Sequence, residues 1–239
     1  MVCYSLAMNN QQSWNDEYKN SKLITQSHQP QKDFLRFIKW IKNNKHIDLY
    51  SGITVLDLGC GVGRNSFYMA DRYEAKVYGY DFSEDAIEKA KAIHAHPNIN
   101  FYKRNIAEPF PLPDNSVDII LDVTSSNALN EKQRKIYLQE CARVLKPSGY
   151  MYVRTLAKEG DKNAQQLVKE FPGGEYDTYK HPQLGVKERI FSGPDFKKLY
   201  NEYLEVVRME RKTGYQAFGK QSYKRNYWNI YIKSKKVSE

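Results

Sequence analysis

The feature that most constrains the fold is a run of glycines directly after an apolar segment. Val55-Leu56-Asp57-Leu58 is typical of a short buried strand, and Gly59-Cys60-Gly61-Val62-Gly63 follows it as a tight turn. A helix is predicted to begin near Arg64. Glycine permits positive φ and a close approach of the backbone to a ligand, and the start of a helix presents free N–H groups. The segment therefore predicts a binding site for a nucleotide-like cofactor.

The spacing after this turn indicates which part of the cofactor is bound next. Residues 76–80 form a second apolar segment, which ends in Asp81, about 20 positions beyond the turn. A carboxylate at the end of the second strand is placed to accept hydrogen bonds from both hydroxyls of a ribose. The dinucleotide fingerprint G-x-G-x-x-G is not met, because Gly59, Gly61 and Gly63 are spaced more tightly.

The run Asp57-Leu58-Gly59-Cys60-Gly61-Val62-Gly63 resembles the first motif of the class I S-adenosylmethionine-dependent methyltransferases, commonly written D-x-G-x-G-x-G. With Arg64-Asn65-Ser66 added, it is similar in particular to the small-molecule and tellurite-resistance-like branch. The resemblance is firm over residues 52–155. It implies a Rossmann-like α/β fold: a mostly parallel seven-stranded sheet with an antiparallel C-terminal strand and helices on both faces. It also implies S-adenosylmethionine as cofactor, S-adenosylhomocysteine as product, and methyl transfer to a small-molecule acceptor by direct in-line displacement.

The resemblance further implies a set of cofactor-binding residues. Asn105 and Ile106 follow a predicted third strand at the place where the family contacts adenine, and an asparagine amide can both accept and donate a hydrogen bond there. Asp57 is expected to orient the turn and the cofactor's amino group, and Arg64 to lie near the methionyl carboxylate. The predicted cofactor-binding residues are Trp14, Tyr18, Asp57, Gly59, Cys60, Gly61, Gly63, Arg64, Asp81, Phe82, Asn105, Ile106 and Asp122.

Residues 1–50 are predicted to form a helical cap in front of a methyltransferase domain at 51–239. Ser13 is a candidate N-cap for a first helix, and apolar residues recur at helical spacing after Pro30. The pair Trp14 and Tyr18 resembles the segment that folds over the bound cofactor in many small-molecule methyltransferases. The alternative is that this aromatic pair, four residues apart, is an ordinary docking face of a helix.

Between residues 51 and 155 strands and helices alternate, which predicts a parallel sheet covered on both faces. Asp122 and the five residues after it follow an apolar strand and are expected at the ligand-binding edge of that sheet. Residues 131–145 are predicted as a helix that stops at Lys146-Pro147-Ser148-Gly149. The methyl acceptor is therefore expected near residues 122–127.

The pattern changes after Thr155. Residues 156–192 are predicted to be an insertion, either a functional lid or a disordered insert, with one short helix at 163–170. Residues 200–208 and 227–233 are predicted as final strands, with a loop at 211–225 that mixes aromatic and cationic side chains. This loop could shape a pocket for an aromatic or anionic acceptor, follow RNA phosphates, or be a plain surface loop.

The excess of basic residues leaves RNA open as a second class of partner. The chain carries 37 Lys and Arg against 28 Asp and Glu, and residues 208–239 alone hold nine basic and two acidic residues. RNA methylation that uses this basic C-terminal region is the first alternative function, tested by neutralising Lys220, Lys224 and Arg225. The Asp/Asn-Pro-Pro-aromatic and Pro-Cys motifs of base-methylating enzymes are absent after the fourth strand. A non-catalytic S-adenosylmethionine-binding protein is the second alternative.

Several classes are disfavoured. No apolar run reaches the roughly 18–20 residues needed to span a bilayer, and residues 1–12 do not have the pattern of a secretory signal, so the cytoplasm is the predicted location. Cys3, Cys60 and Cys141 are scattered, and neither they nor the five histidines show metal-ligand spacing, so no metal is predicted. Asp122, His181 and Tyr179 are available as general bases, but each has a plainer explanation and no catalytic residue is assigned.

Overall fold

A seven-stranded β-sheet forms the middle layer of the protein, which the computed structural model describes over residues 2–20, 27–44, 46–218 and 221–236. The strands in chain order are β1 (Thr54–Leu58), β2 (Lys76–Asp81), β3 (Ile99–Lys103), β4 (Val117–Val123), β5 (Leu145–Leu156), β6 (Thr178–Lys180), β7 (Lys187–Arg189), β8 (Glu205–Phe218) and β9 (Gln221–Lys233). The sheet order is β3-β2-β1-β4-β5-β9-β8, while β6 and β7 pair separately. Strands β1 to β5 are parallel and β9 runs antiparallel to both of its neighbours. The predicted fold class is confirmed.

Helices cover both faces of this sheet. They are α1 (Val2–Lys19), α2 (Lys32–Asn43), α3 (Arg64–Tyr73), α4 (Glu84–Ile93), α5 (Glu131–Val144), α6 (Lys162–Glu170) and α7 (Gly193–Tyr200). On one face α2 and α3 bury Phe37 and Met69 against Val55. On the other face α5 and α7 pack on Leu56, the next residue of β1. Side chains of a strand alternate between faces, so one apolar strand supplies both cores.

The site is positioned by the parallel strands at the centre of the sheet. Because β1 pairs with β2 on one side and β4 on the other, the carboxyl ends of all three strands meet at one edge. Ser83 caps α4 by accepting a hydrogen bond from the Ala86 N–H. Loops and helix starts therefore gather at this edge, where open α/β sheets bind ligands.

Two predicted boundaries differ from the structure before residue 150. Ser13 is not an N-cap, because α1 already begins at Val2 and Ser13 lies inside it. The segment Lys146-Pro147-Ser148-Gly149 does not separate helix from strand, because β5 begins at Leu145 directly after α5. Leu145 lies opposite Val117 of β4 and regular pairing resumes at Tyr150 opposite Ile119, so Lys146 to Gly149 form an irregularity within β5.

The C-terminal boundaries differ more. Residues 200–208 are not one strand: Tyr200 ends α7, and β8 begins only at Glu205. The predicted loop at 211–225 is wrong over most of its length, because β8 and β9 form a long hairpin paired from Glu205 with Lys233 to Phe218 with Gln221. Gly219 and Lys220 lie outside the described residues. The predicted short helix at 163–170 is present as α6.

Candidate active site

The glycine turn joins β1 to α3 and forms one wall of a cavity of about 690 Å³. Gly59, Gly61 and Gly63 have φ values of +70°, +55° and +81°, which is the left-handed region. Gly63 is also the residue before α3, and no side chain caps that helix. The first N–H groups of α3 are thus available to a ligand, as is usual for sites that bind polar or anionic groups.

Space as well as φ requires glycine here. A Cβ at Gly59 would lie 2.2 Å from Cβ of Ser125, and one at Gly63 would lie 2.4 Å from the Phe101 ring. A Cβ at Gly61 would lie 2.7 Å from the hydroxyl oxygen of Tyr18. Gly59 and Gly61 line the cavity, whereas Gly63 packs behind it against Phe101.

Asp81 closes the turn from the neighbouring strand. Its Oδ2 accepts a hydrogen bond from the Gly61 N–H at 2.8 Å, and its Oδ1 accepts one from the Ser83 N–H at 2.8 Å. Burial raises the pKa of this carboxyl to about 6, against the opposing effect of those N–H groups. A carboxylate has further acceptor capacity beyond two bonds, so Asp81 can still receive hydroxyl donors.

Asn105 and Ile106 line the same cavity, together with Phe82. Oδ1 of Asn105 already accepts a hydrogen bond from the Ala107 N–H at 3.0 Å. If this oxygen also accepts a hydrogen bond from adenine, as predicted, it would accept from two donors at once. Ile106 is 8% exposed and presents an apolar wall suited to a ring.

Asp57 and Asp122 do not line the cavity, although both were predicted as cofactor-binding residues. Asp57 is buried under the turn and accepts a hydrogen bond from the Ser66 hydroxyl at 2.6 Å. Burial raises its pKa to about 7, with smaller contributions from Asp81 and Asp122. Asp122 accepts hydrogen bonds from the Tyr137 hydroxyl at 2.6 Å and the Ser125 N–H at 3.0 Å. These two carboxylates stabilise the segments that line the site, Asp57 through Ser66 of α3 and Asp122 through Ser125.

Helix α1 also lines the cavity, through Trp14 and Tyr18. The helix is attached near β2, where the Ser83 hydroxyl donates to Oδ1 of Asn15 at 2.7 Å. Burial and the nearby Asp81 raise the pKa of the Tyr18 phenol well above its usual value. This phenol therefore stays protonated over the turn.

The other half of the cavity is formed by β5, β9 and the segment between residues 156 and 192. Arg154, at the end of β5, places its guanidinium 3.4 Å from the centre of the Tyr227 ring. Arg64 faces the same space, and burial together with the charge of Arg154 lowers its pKa. Residues 122–127 contribute Val123 to Ser125 and Asn127 to the wall, so the predicted edge does meet the cavity.

Glu188 of β7 also lines this half of the cavity and belongs to a buried hydrogen-bond network. The Tyr179 hydroxyl donates to Oε2 of Glu188 and receives a bond from Arg225 at 3.3 Å. Arg225 in turn donates to Oδ2 of Asp161 at 3.2 Å. The network fixes the β6–β7 ribbon against the final hairpin.

Sequence reasoning missed Arg154, Glu188 and Tyr227 as site residues. Arg154 had a usable signal, since it is a charged residue directly after the apolar, tyrosine-rich run at residues 150–153. Glu188 and Tyr227 had none, because their place in the site depends on the pairing of β6 with β7 and of β8 with β9.

Two features are absent from the part of the chain that the structure describes. It has no group of His, Cys, Asp and Glu residues arranged to hold a metal ion. Nor does any of its helices have the length and apolar character needed to cross a membrane.

The sheet order, the glycine turn and the buried carboxylate after β2 together define a class I methyltransferase fold. Residues 49–210 match the family model described as "Methyltransferase domain". This match covers more than half of the chain, so the chain belongs to that family. Its class is that of the S-adenosylmethionine-dependent methyltransferases, and the predicted family, enzyme class and cofactor are confirmed.

Known proteins agree with this assignment. The phthiotriol/phenolphthiotriol dimycocerosates methyltransferase of Mycobacterium tuberculosis is 33% identical over 118 residues, which is 45% of this chain and 43% of that protein. The chain thus matches less than half the length of this curated relative. An S-adenosylmethionine-dependent methyltransferase from Methanosarcina mazei superposes with a TM-score of 0.68 at 19% identity, over 83% of this chain and 98% of that one.

A third comparison shares the fold at still lower identity. The 1,6-didemethyltoxoflavin-N1-methyltransferase of Burkholderia thailandensis has a TM-score of 0.67 at 13% identity, over 98% of this chain and 89% of that one. That structure holds S-adenosylhomocysteine and 1,6-didemethyltoxoflavin.

Proposed function

We propose that the protein transfers the methyl group of S-adenosylmethionine to a small-molecule acceptor. The observation that carries the proposal is one continuous cavity of about 690 Å³, with the glycine turn and Asp81 at one end and Arg154, Glu188 and Tyr227 at the other. This volume falls in the range of roughly 300–1,000 Å³ that is usual for ligand sites, and it has to hold cofactor and acceptor together. The volume left beside the cofactor therefore suits an acceptor of modest size.

The residues of the first half fit the cofactor. Gly61 leaves room beside the Tyr18 phenol that a Cβ would fill, and the start of α3 offers free N–H groups. Asp81 would accept the ribose hydroxyls, Ile106 would pack on the adenine, and Arg64 would pair with the methionyl carboxylate. Trp14, Tyr18, Gly59, Cys60, Phe82 and Asn105 complete the proposed lining, with Asp57, Gly63 and Asp122 behind it.

When bound, S-adenosylmethionine supplies a methyl group activated by the sulfonium, which an acceptor can take by direct in-line displacement. The protein then has to orient the acceptor and exclude water. Trp14 and Tyr18 on α1 cover one side of the cavity, and Leu184 lies across the other half. We propose on this basis that residues 1–50 act as a cap and 156–192 as an insertion within a single domain.

Of the three side chains considered as a general base, only His181 reaches the cavity. Asp122 and Tyr179 are both fully buried and engaged by other side chains. Nδ1 of His181 accepts bonds from the Gln183 and Leu184 N–H groups at 3.3 Å each, so the neutral ring carries its proton on Nε2. Burial lowers the pKa of His181, which keeps it neutral near pH 7. In this tautomer His181 is a donor and not a base.

The direct test is calorimetric titration with S-adenosylhomocysteine on the wild type and on Asp81→Asn. The variant keeps the shape of the side chain but removes the charge that favours the ribose hydroxyls, so we expect binding at least about tenfold weaker. Asp71→Asn, which changes an exposed carboxylate on α3, is the matched control and should bind like the wild type. A folded wild-type protein that does not bind the cofactor product would refute the proposal.

RNA methylation is the alternative that the basic C-terminal region suggested. Arg225, one of its three proposed phosphate contacts, is 5% exposed and paired with Asp161, so it is not available to a phosphate. Lys224 is exposed, and Lys220 lies outside the described residues. Salt-dependent RNA binding lost on neutralising Lys212 and Lys224 would favour the alternative.

A non-catalytic cofactor-binding protein is the other alternative. Cofactor binding without turnover on any acceptor of the classes tested would point to it. The predicted cytoplasmic location stays a prediction.

A further inference from the structure

Arg154 has hydrogen-bonding capacity that the protein itself does not use. Its Nε is buried and has no hydrogen-bond partner among the described residues. Oδ2 of Asp33 lies 3.7 Å from that nitrogen, which is an ion-pair distance but too long for a hydrogen bond. The central carbon of the guanidinium lies 3.4 Å from the centre of the Tyr227 ring, which is a stacking distance. Arg154 also lines the cavity.

The cavity around it carries more positive than negative charge. Among the described lining residues the cations are Lys32, Arg64, Arg154 and Arg225, and the carboxylates are Asp81 and Glu188. Both carboxylates already accept hydrogen bonds from the protein, and Arg225 is paired with Asp161. Arg64 is assigned above to the cofactor. Lys32 is exposed to solvent, so Arg154 is the partly buried arginine of the acceptor half that no carboxylate of the described residues engages by a hydrogen bond.

Apolar side chains surround this charge. Leu129, Leu156 and Leu184 line the same half of the cavity as Tyr227. Arg154 pairs across the sheet with Val123 of β4, and its carbonyl accepts a bond from the Thr124 N–H at 2.8 Å. The guanidinium is thereby anchored beside the strand edge at which the acceptor is expected.

We propose that Arg154 binds a carboxylate group of the methyl acceptor, and that the acceptor is a small organic acid with an apolar body. The inference rests on the proposed function and adds the acceptor's chemical class. A planar guanidinium fork matches a carboxylate in two parallel hydrogen bonds, and no carboxylate of the described residues makes a hydrogen bond to Arg154. Stacking on Tyr227 holds the fork in place before binding, which lowers the entropic cost of that contact.

The experiment measures binding of three matched pairs to the S-adenosylhomocysteine-loaded protein by calorimetry: acetate and acetamide, benzoate and benzamide, octanoate and octanamide. We expect at least one carboxylate to bind about tenfold or more tightly than its amide, and Arg154→Gln to abolish that difference. Arg72→Gln, an exposed arginine of α3 outside the cavity, is the control and should keep it. If Arg154→Gln does not fold, Arg154→Lys is used, and we expect a reduced carboxylate preference.

Other outcomes overturn the inference in distinguishable ways. If S-adenosylhomocysteine does not bind the folded wild type, the proposed function fails and the inference fails with it. If S-adenosylhomocysteine binds but no carboxylate binds more tightly than its amide, only the inference fails. It also fails alone if the preference for the carboxylate survives in Arg154→Gln or is undiminished in Arg154→Lys. Arg154→Gln should also bind S-adenosylhomocysteine within about threefold of the wild type. A loss of tenfold there, with 5′-methylthioadenosine binding unchanged, would assign Arg154 to the cofactor's carboxylate instead.

Discussion

At the scale of single residues, three buried carboxylates lie along adjacent strands of the sheet, and each has a different task. Asp81 faces the cavity and holds the turn through Gly61, whereas Asp57 and Asp122 lie behind the wall. Burial raises the pKa of Asp57 to about 7 and that of Asp81 to about 6. The environment of Asp57 and Asp81 therefore favours their protonated forms.

This environment predicts a pH dependence of stability that can be traced to Asp57. Because its pKa rises from 3.8 to about 7 on folding, the folded protein keeps a proton at Asp57 that the unfolded chain releases between those values. The free energy of unfolding should then fall as pH rises from 4.5 to about 7 and level off above that. In Asp57→Asn this decline should be smaller by about 1–3 kcal/mol, measured by urea unfolding at a series of pH values. Equal declines in the variant and the wild type would contradict the assignment, and Asp71→Asn should keep the wild-type decline.

At the scale of elements, the glycine turn works because three left-handed residues are packed between neighbouring side chains. Gly52 and Gly63 allow the effect of backbone strain to be separated from that of crowding. A Cβ added at Gly52, which has a φ of +73°, would meet nothing within 4 Å. A Cβ added at Gly63, which has a φ of +81°, would lie 2.4 Å from the Phe101 ring. We expect Gly52→Ala to cost about 1–2 kcal/mol of stability from strain alone. Gly63→Ala should cost about 2–5 kcal/mol, because overpacking is added. Chemical denaturation of both variants is the measurement, and equal losses would show that Phe101 moves aside at no cost.

The Asp161–Arg225 pair attaches the insertion to the final hairpin at the same scale. The two side chains are 0% and 5% exposed, and Asp161 also caps α6 by accepting from the Ala164 N–H at 2.8 Å. Asp161→Ala would leave a buried guanidinium without its carboxylate, so we expect a loss of about 3–5 kcal/mol in urea unfolding. Glu205→Ala breaks the exposed pair with Lys233 and should cost less than about 1 kcal/mol. Similar losses for the two variants would mean that the buried pair does not hold the insertion.

At the scale of the whole molecule, α1 and the insertion approach each other above the cavity. A Cβ on Gly185 would lie 3.8 Å from the Ser13 hydroxyl, and Trp14, Tyr18 and Leu184 all line the same space. A ligand that fills the cavity would give these side chains additional contacts. We propose that the two segments, which come from distant parts of the chain, together cover the cavity.

We therefore expect S-adenosylhomocysteine to slow amide hydrogen exchange in residues 11–19 and 181–188. Mass spectrometry of peptic fragments with and without the ligand is the measurement, and residues 205–210 of β8, which do not line the cavity, are the internal control. Asp81→Asn at the same ligand concentration should show less protection, because less protein is loaded. Protection confined to the glycine turn would argue against a covering role for α1.

The sequence by itself determined the part of the protein that depends on short-range geometry. Glycines at positions of positive φ, Asp81 at the end of the second strand, and the Ser83 cap of α4 all depend on neighbours within a few residues. The alternation of apolar strands and helices up to residue 155 likewise predicted the sheet and its two covered faces.

Only the tertiary structure decided where distant segments meet. The predicted loop at 211–225 became the end of a paired hairpin because each strand supplies the other's hydrogen bonds, which no local pattern encodes. Arg225 was interpreted as a surface cation, but Asp161, 64 positions away, accepts its charge in the interior. Asp57 and Asp122 lie behind the wall because the turn and Ser125 pack over them. Arg154, Tyr227 and Glu188 form one half of the cavity for the same reason: long-range strand pairing brings together side chains whose separation along the chain gives no sign of it.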